Sequence, residues 1–414
     1  MTAELARFDC AIVGSGHAGA AAALALRQYG YQGTIGLIGD EPDPPYERPP
    51  LSKEFLADEK PFSRMLMRKE GFWEDRGIAR VPSTRIETVD ADAKELTDAE
   101  GETIHFETLI WAAGGEPRSL PCGTDVGLAG VHAIRTHADV QLLKEELATA
   151  ERIVVIGGGY IGLEAAAVLV TKGKDVTVVE AENRLLARVA GSELSAMYLA
   201  RHEAAGVSFR MGVRTDRLEG DNHRVVGVHL TDGDVLPADL VIVGIGIVPS
   251  VQPLFKAGAA GGNGVKVDAQ CRTSLADIFA IGDCALHENT HANGAAIRLE
   301  SVQNANDMAK VAARTICGQD TSYDALPWFW SNQYELKLQT AGLSAGHDTT
   351  VVRGDPATFA ATICYLKNDQ LVAVDCVNQP KDFVQGQRLI SARRSVDLAA
   401  LADANRPLKE LLTA

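Results

Sequence analysis

FDCAIVGSGHAG, residues 8–19, is the stretch that decides the fold of this chain. Its first six residues predict a short buried strand, and a glycine-rich GxGxxG turn follows directly. An Ala/Leu-rich helix is predicted over 20–28, and a second strand over 34–38 leads to Asp40 and Glu41. In such a βαβ unit the glycines let backbone N–H groups approach a pyrophosphate, while an acid after the second strand binds a ribose. The stretch therefore predicts a dinucleotide site.

The same pattern occurs a second time. A predicted strand over 152–156 is followed by GGGYIG at 157–162, a predicted helix over 163–170 and a strand over 175–179 that leads to Glu180. Two complete fingerprints in one chain indicate two bound dinucleotides, and two dinucleotides indicate electron transfer between them.

Glu180 bears on the choice between NAD and NADP. A carboxylate at this place hydrogen-bonds a 2′-hydroxyl and repels a 2′-phosphate, which favours NAD. Arg184 and Arg188 follow shortly and keep NADP open, because an arginine can receive a 2′-phosphate.

Glu164 is the only charged residue between 160 and 170, in a run that is otherwise apolar and predicted to be helical. A buried carboxylate needs a cation or several hydrogen bonds. Lys53 is a candidate cation, but Ser52 before it predicts a helix N-cap, and the helix dipole disfavours a cation in the first turn. The alternative is that Lys53 is solvated and unrelated to Glu164.

Two further segments are candidate ligand sites. Residues 42–53 hold five prolines, which predict a stiff, extended segment that is either a ligand wall or a plain loop. Residues 277–283 predict a strand that ends in Gly-Asp, which places Asp283 at the edge of a sheet where α/β proteins bind ligands.

The composition excludes several classes of protein. The chain has 414 residues, enough for two or three domains, and a net charge of −15 that argues against nucleic acid or an anionic membrane as partner. No run approaches the roughly 18 apolar residues of a membrane span. Residues 1–7 lack the apolar core of a signal peptide, so we expect a cytoplasmic protein. The seven cysteines show no CxxC spacing, which argues against a disulfide framework and against a metal site.

Several stretches together resemble the FAD- and NADH-binding ferredoxin reductases of Rieske-type oxygenases and bacterial P450 systems, within the glutathione-reductase-like flavoproteins. The likeness covers nearly the whole chain. Beyond the first fingerprint, it rests on PYERPPLSK (45–53), GGGYIGLE (157–164), VGIGIVP (243–249), FAIGDCA (279–285), RLESVQNA (298–305) and WFWSNQYE (328–335).

The resemblance implies an α/β fold with two Rossmann-like dinucleotide-binding domains of glutathione-reductase type and a smaller α+β C-terminal domain. The FAD-binding domain would span 1–114 and resume over 248–325, with the NAD-binding domain inserted at 115–247 and a C-terminal interface domain over 326–414.

The C-terminal region itself predicts a hairpin with strands over 359–366 and 371–378, followed by a helix that carries Arg388, Arg393 and Arg394. It contains no nucleotide motif, so we expect an interface role.

The resemblance assigns FAD to the first fingerprint and NADH to the second, an order that the residues alone leave open. The residues it assigns to FAD are Gly14, Gly16, His17, Ala18, Gly19, Asp40, Arg48, Lys53, Ile86, Arg135, Asp283, Val302 and Trp330. Those it assigns to NADH are Gly157, Gly159, Tyr160, Ile161, Gly162, Glu180, Arg188 and Gly246.

The catalytic residues implied by the resemblance are Lys53 and Glu164, which would form a pair beside the flavin N5. The implied activity is that of an NADH:ferredoxin reductase, in which electrons pass from NADH through FAD to a [2Fe-2S] ferredoxin that supplies a Rieske-type oxygenase or a P450. An NADH-sensing flavoprotein of the apoptosis-inducing-factor type and a rubredoxin reductase are the alternatives. The ferredoxin, the terminal oxygenase and the oligomeric state stay open.

Ferredoxin docking requires a local basic surface, since many ferredoxins are acidic and this chain is acidic too. Lys310 and Arg314 lie four residues apart on a predicted helix and form the predicted surface. The alternative is that they are simply the solvated face of that helix.

Four positions depart from the family pattern: His17, Ala113, Gln303 and Asn332. Ala113 removes a usual threonine hydroxyl. No cysteine lies near PPLSK (49–53), so the disulfide chemistry of other members of the superfamily is not expected.

Overall fold

The structure is a computed structural model, and it describes residues 6–125 and 127–412. The prediction that residues 1–7 lack a signal-peptide core falls mostly on Met1 to Leu5, which lie outside the described residues. Over the described ranges, none of the helices combines the length and the apolar character that crossing a membrane requires.

The strands of the first half of the chain are β1 (Ala6–Val13), β2 (Ile35–Ile38), β3 (Ile78–Val81), β4 (Ile86–Asp90), β5 (Glu95–Asp98), β6 (Thr103–Trp111), β7 (Gly115–Pro117), β8 (Val131–His132), β9 (Arg152–Ile156), β10 (Asp175–Glu180) and β11 (Ser208–Met211). Those of the second half are β12 (Thr215–Asp221), β13 (Arg224–Leu230), β14 (Val235–Pro237), β15 (Leu240–Val243), β16 (Ile247–Pro249), β17 (Gly261–Gly262), β18 (Gly264–Val267), β19 (Ile278–Ala280), β20 (Ala285–Glu288), β21 (Ala296–Ile297), β22 (Trp328–Gln333), β23 (Leu336–Gly342), β24 (Thr349–Asp355), β25 (Ala360–Lys367) and β26 (Gln370–Val377).

The α-helices are α1 (His17–Gln28), α2 (Phe72–Asp75), α3 (His137–Leu147), α4 (Tyr160–Thr171), α5 (Ser192–Ala204), α6 (Gln252–Lys256), α7 (Val302–Ile316), α8 (Pro380–Ala392) and α9 (Leu398–Ala402). Short 3₁₀ helices include Pro49–Ser52, Gly282–Cys284 and Leu408–Leu412.

The chain divides into two compact units. The first consists of Met1–Arg48, Ser63–Glu116 and Val248–Pro327, and the second of Pro49–Phe62, Pro117–Ile247 and Trp328–Ala414. The joins fall close to those predicted after residues 114, 247 and 325. The grouping differs from the predicted domains in two ways: residues 49–62 belong with the second unit, and so does the whole C-terminal region.

The first unit is built around a seven-stranded sheet in which β1 lies between β2 and β6, all parallel. Val13 of β1 pairs with Ile38 of β2 and with Trp111 of β6, and Trp111 also pairs with Ala280 of β19. The carboxyl ends of these four strands are therefore level. The turns that follow β1, β2 and β19, each predicted to bind nucleotide, leave the sheet at one edge.

The second unit contains a parallel sheet in the order β11-β10-β9-β15-β8. Ile156 at the end of β9 pairs with Val179 of β10 and with Val243 of β15. The second fingerprint, Glu180 and the turn at Gly244 consequently emerge at one edge of this sheet. Its helix, α4, begins three residues earlier than predicted, because the last residues of the fingerprint form its first turn.

The C-terminal part of the second unit is an antiparallel sheet in the order β22-β23-β26-β25-β24, followed by α8 and α9. The predicted hairpin is confirmed, since β25 and β26 pair directly. The prediction for the arginines is wrong in part. Arg388 lies in α8, but the helix ends at Ala392: Arg393, whose φ of 51° is left-handed, is the C-cap residue, and Arg394 lies beyond it. The two fingerprint sheets with this third sheet confirm the predicted fold class.

Candidate functional site

The first fingerprint forms a cradle at the edge of the first unit's sheet. Gly14 has a φ of +107°, and a Cβ atom there would overlap the carbonyl group of Ala112. A Cβ on Gly19 would overlap the Gly14 carbonyl, so the helix packs directly on the turn. A Cβ atom on the middle glycine, Gly16, would meet only the side chain of Arg48, whose Nε would be 3.7 Å away. Close packing at two glycines, space at the third and a nearby guanidinium fit the pyrophosphate of a dinucleotide.

The two acids after β2 have different surroundings. Glu41 accepts hydrogen bonds from Arg48 and from the Tyr46 hydroxyl, the latter at 2.6 Å, and its side chain is 13% exposed. Asp40 is 60% exposed, and its nearest ion-pair partner, Arg85, is 3.9 Å away. Asp40 is therefore the acid open to a ribose, and Glu41 instead orients Arg48 towards the fingerprint.

Asp283 lies at the same sheet edge, in the 3₁₀ turn that directly follows β19. Gly282 before it has a φ of +74°, and a Cβ there would lie 3.0 Å from Ala18 on α1, which brings the turn onto the fingerprint helix. The structure thus brings together the fingerprint residues, Asp40, Arg48 and Asp283 in the first unit.

The other residues assigned to FAD are more scattered. His17 begins α1, Ile86 begins β4 and Val302 begins α7, all in the first unit. Arg135 and Trp330 belong to the second unit. Their contacts with FAD stay predictions.

The second fingerprint repeats this design. Gly157 has a φ of +112°, and a Cβ there would overlap the carbonyl of Gly244, while a Cβ on Gly162 would overlap that of Gly157. A Cβ atom on Gly159 would meet no side chain and no distant backbone atom within 4 Å among the described residues. This cradle also fits a pyrophosphate at the start of a helix, α4.

Glu180 turns back onto the second fingerprint. One carboxylate oxygen accepts the backbone N–H of Gly158 at 2.6 Å, and the other accepts that of Glu182 at 2.8 Å. These bonds hold a negative charge at the glycine turn. In Rossmann-type sites an acid at this place recognises the 2′-hydroxyl of the adenosine ribose.

Arg184 and Arg188, the two arginines that could receive the 2′-phosphate of NADP, make different contacts. Arg184 donates to the carbonyl oxygens of Ala190 and Ala187 at 2.7 and 3.0 Å, so it shapes its own loop. Arg188 is exposed, and a Cβ atom on Gly246 would lie 3.8 Å from its Nη2. The structure therefore places Arg188 close to Gly246, and both are among the residues assigned to NADH. Arg118 is also near: its Nε would lie 3.9 Å from the same Cβ atom on Gly246. No motif or spacing in the sequence indicates this position.

Two more residues assigned to NADH lie on the first turn of α4. The ring of Tyr160 packs on Phe329 with 4.7 Å between centroids, and Ile161 is 44% exposed. The exposed isoleucine lies two residues after Gly159, the open glycine of the cradle.

Lys53 and Glu164 form a buried ion pair within the second unit. Lys53 Nζ lies 2.6 Å from Glu164 Oε2, and the side chains are 12% and 2% exposed. The alternative in which Lys53 is solvated is therefore wrong. Ser52 is not an N-cap either: it ends the 3₁₀ helix Pro49–Ser52, so Lys53 follows a helix instead of opening one and the dipole argument does not apply. The same turn shows that residues 42–53 are not extended throughout.

Two serines also donate hydrogen bonds to Glu164, and the sequence predicts this contact for neither of them. Ser52 Oγ donates to Oε2 at 2.5 Å, and Ser331 Oγ, on β22, donates to Oε1 at 2.6 Å. Gln333 Nε2 donates to Ser331 at 3.2 Å, and Gln333 Oε1 lies 2.8 Å from His202 Nε2. Burial lowers the pKa of His202 to about 4, so its imidazole is neutral beside Gln333.

The seven cysteines are free thiols, and five of them are buried. Burial raises the pKa of Cys10 and of Cys284 to about 12, which leaves both as unreactive thiols at neutral pH.

A fold with two nucleotide cradles, each beside an acid and one sharing its unit with a buried Lys–Glu pair, defines an oxidoreductase that uses two dinucleotides. Residues 8–309 match the family described as pyridine nucleotide-disulphide oxidoreductase, and residues 328–412 match the one described as reductase C-terminal. The chain belongs to the pyridine nucleotide-disulphide oxidoreductase family.

Similar proteins narrow the family further. The chain is 53% identical to the 5,5'-dehydrodivanillate O-demethylase ferredoxin reductase subunit of Sphingobium sp., over 98% of this chain and 99% of that protein. It is 52% identical to a ferredoxin–NAD(P)(+) reductase of Sphingomonas sp., over 98% of each chain. Among solved structures, the covalent putidaredoxin reductase–putidaredoxin complex matches with a TM-score of 0.94 and 36% identity over 99% of each chain.

Proposed function

We propose that this protein is an NADH:ferredoxin reductase that passes electrons from NADH through FAD to a [2Fe-2S] ferredoxin of an oxygenase or P450 system. The observation that carries the proposal is the presence of two nucleotide cradles in one chain. The comparisons support the acceptor: one relative is named the ferredoxin reductase subunit of an O-demethylase, and the chain also matches a putidaredoxin reductase solved in complex with putidaredoxin.

The chemistry supplied by bound FAD is the conversion of a two-electron hydride donor into a source of single electrons. The protein's own residues bind, orient and tune. The glycine turns with Arg48 hold the FAD pyrophosphate, Asp40 holds its ribose, and Glu180 selects the nucleotide at the second cradle. Lys53 provides a positive charge that stabilises the reduced cofactor, and Glu164 fixes the position of its ammonium group.

The experiment that tests the function is reoxidation of the NADH-reduced protein in a stopped-flow instrument. A panel of [2Fe-2S] ferredoxins and a rubredoxin serve as acceptors. We expect rapid reoxidation by at least one ferredoxin and slow reoxidation by rubredoxin. Fast transfer to rubredoxin alone identifies a rubredoxin reductase. Slow transfer to every acceptor, with a long-lived complex between the reduced protein and NAD⁺, identifies a sensor instead.

We also propose that the protein works in the cytoplasm. The absence of an apolar membrane span over the described ranges and the reducing conditions that suit its free thiols support this location. Cell fractionation with an antibody against the protein tests it, and recovery with the membrane or periplasm contradicts it.

A further inference from the structure

The loop between β10 and α5, residues 181–191, connects the nucleotide site with the C-terminal sheet. It begins directly after Glu180 and ends at Gly191, the N-cap residue of α5. The backbone N–H of Leu186 donates to the carbonyl of Gly158 at 3.0 Å, so the middle of the loop is bonded to the second fingerprint. The loop also carries Arg188 to Gly246.

The end of this loop is held by a tyrosine from the C-terminal sheet. The N–H of Gly191 donates to the hydroxyl oxygen of Tyr365 at 3.0 Å, and Tyr365 is fully buried on β25. A Cβ atom on Gly191 would lie 2.7 Å from that oxygen, so the contact requires a glycine.

The orientation of the hydroxyl is set by Asp375. Tyr365 Oη donates its hydrogen to Asp375 Oδ2 at 2.6 Å, and Asp375 on β26 is 5% exposed. A phenol has one hydrogen to give. Giving it to Asp375 leaves the oxygen lone pairs to receive the Gly191 N–H, so the two hydrogen bonds support each other.

We propose that Tyr365 and Asp375 are positioning residues for the nicotinamide dinucleotide, which fix loop 181–191 and thereby the affinity of the second cradle. The C-terminal sheet then takes part in NADH binding from a distance, in addition to any interface role. This inference rests on the proposed function, because it takes the second cradle to be the NADH site.

The surroundings of Asp375 make the contact sensitive to pH. Burial raises the pKa of Asp375 to about 7. The titratable groups near it and near Tyr365 are Tyr160 and Glu164 on α4, Glu193 and Tyr198 on α5, Tyr365 and Cys364 on β25, Cys376 on its own strand, and Asp382 and Arg353 beyond Cys364. His347 faces Tyr365 as well, with 5.0 Å between the two ring centroids. Burial raises the pKa of these tyrosines and cysteines, so they stay neutral near pH 7. Glu164 is paired with Lys53, and Asp382 with Arg353. Protonation of Asp375 below pH 7 weakens its hold on the phenol, and NADH affinity should fall.

The test uses the FAD-loaded protein with Tyr365→Phe and Asp375→Asn. Calorimetry gives the dissociation constant for NAD⁺, stopped-flow titration gives that for NADH, and hydrogen exchange reports on the Gly191 amide. Loss of one hydrogen bond predicts about fivefold weaker binding by Tyr365→Phe, with faster exchange at Gly191 and a limiting reduction rate within about twofold of wild type. Between pH 8 and pH 6 the affinity of the wild type should fall, and Asp375→Asn should remove this dependence.

The matched control is Tyr334→Phe, which removes a tyrosine hydroxyl hydrogen-bonded to His202 away from the loop, and it should leave NAD⁺ binding unchanged. Wild-type affinity and Gly191 exchange in Tyr365→Phe would overturn the inference, as would an equal loss in both tyrosine variants. If Tyr365→Phe does not fold, the pH dependence of Asp375→Asn decides. Failure of the wild type to be reduced by NADH would reject the proposed function instead.

Discussion

Both carboxylate oxygens of Glu164 are occupied by donors that lie far apart in the sequence. Ser52 and Lys53 come from the turn after the prolines, and Ser331 comes from the C-terminal sheet. The sequence could predict that Glu164 is buried, because it is a single charge in an apolar helix. It could not predict the serines, since a serine carries no sign of which distant carboxylate it meets.

Lys53→Met should destabilise the protein by about 3–5 kcal/mol, because it leaves the buried Glu164 carboxylate without its cation. If Lys53 also stabilises the reduced cofactor, flavin reduction by NADH slows about tenfold, which corresponds to ~1.4 kcal/mol in the barrier, and the flavin potential falls. Urea unfolding, stopped-flow reduction and a potentiometric titration measure the three effects.

The double variant Lys53→Met/Glu164→Gln separates the two effects of the lysine. It removes both charges, so most of the stability should return while reduction stays slow. Recovery of the reduction rate together with stability would show that the lysine acts only in folding.

Glu180→Ala should narrow the preference for NADH over NADPH. The carboxylate that Gly158 and Glu182 hold at the glycine turn would be gone, and with it the repulsion of a 2′-phosphate. The ratio of kcat/KM for the two nucleotides, measured with ferricyanide as acceptor, checks this. An unchanged ratio, or a wild type that prefers NADPH, contradicts the assignment of Glu180.

At the scale of elements, both βαβ units were predictable, because strand, glycine turn and helix follow each other without interruption. The turn after the prolines was not: Ser52 looks like an N-cap, but Pro49 and Pro50 already start a 3₁₀ helix that ends at Ser52. Local sequence also gave no sign that residues 49–62 belong with the second unit. Lys144 and Lys172 bind Asp58 there, a contact between distant segments.

A buried arginine, Arg353 on β24, bonds the C-terminal segment, from α9 to the last 3₁₀ helix, to its sheet. Arg353 pairs with Asp382 at 2.7 Å and donates to the carbonyl oxygens of Leu401, Asp403 and Arg406. Its side chain is 3% exposed. The sequence around position 353 does not predict that Arg353 is buried or that it contacts the C-terminal segment.

Arg353→Met should lower the free energy of unfolding by about 3–5 kcal/mol, because Asp382 loses its cation and three carbonyl groups lose their donor. Residues 397–412 should become sensitive to proteases. Urea unfolding and limited proteolysis measure these changes. Arg388→Ala, at an exposed position on α8, is the control, for which we expect a loss of about 0.5 kcal/mol or less. Equal stability of the two variants would contradict the attachment.

At the scale of the whole molecule, a net charge of −15 opposes the approach of an acidic ferredoxin. Lys310 is 55% exposed on α7 and lies 3.0 Å from Asp307, and the guanidinium of Arg314 lies over the ring of Tyr29 at 4.9 Å. The structure thus puts both cations on one exposed helix face but gives each a local partner. Their role in docking stays a prediction.

Lys310→Glu should raise the KM for ferredoxin and alter its dependence on salt, because a favourable long-range charge is reversed. Reduction of ferricyanide, which needs no docking surface, should hardly change. Lys266→Glu makes the same charge change at an exposed lysine in the same unit and is the matched control. If the two variants affect ferredoxin equally, only net charge matters, and the region of Arg388 to Arg394 becomes the next candidate.

The division of the first unit into separate stretches has a consequence for its synthesis on the ribosome. β19 pairs with the carboxyl-terminal half of β6, yet the whole second nucleotide-binding region is translated between them. At a translation rate of roughly 5–20 residues per second, β19 is synthesised on the order of ten seconds after β6. During that time residues 109–111 present an unpaired, apolar strand edge. Such an edge can bind chaperones or promote aggregation. We therefore expect this edge to need protection until residue 280 has left the exit tunnel.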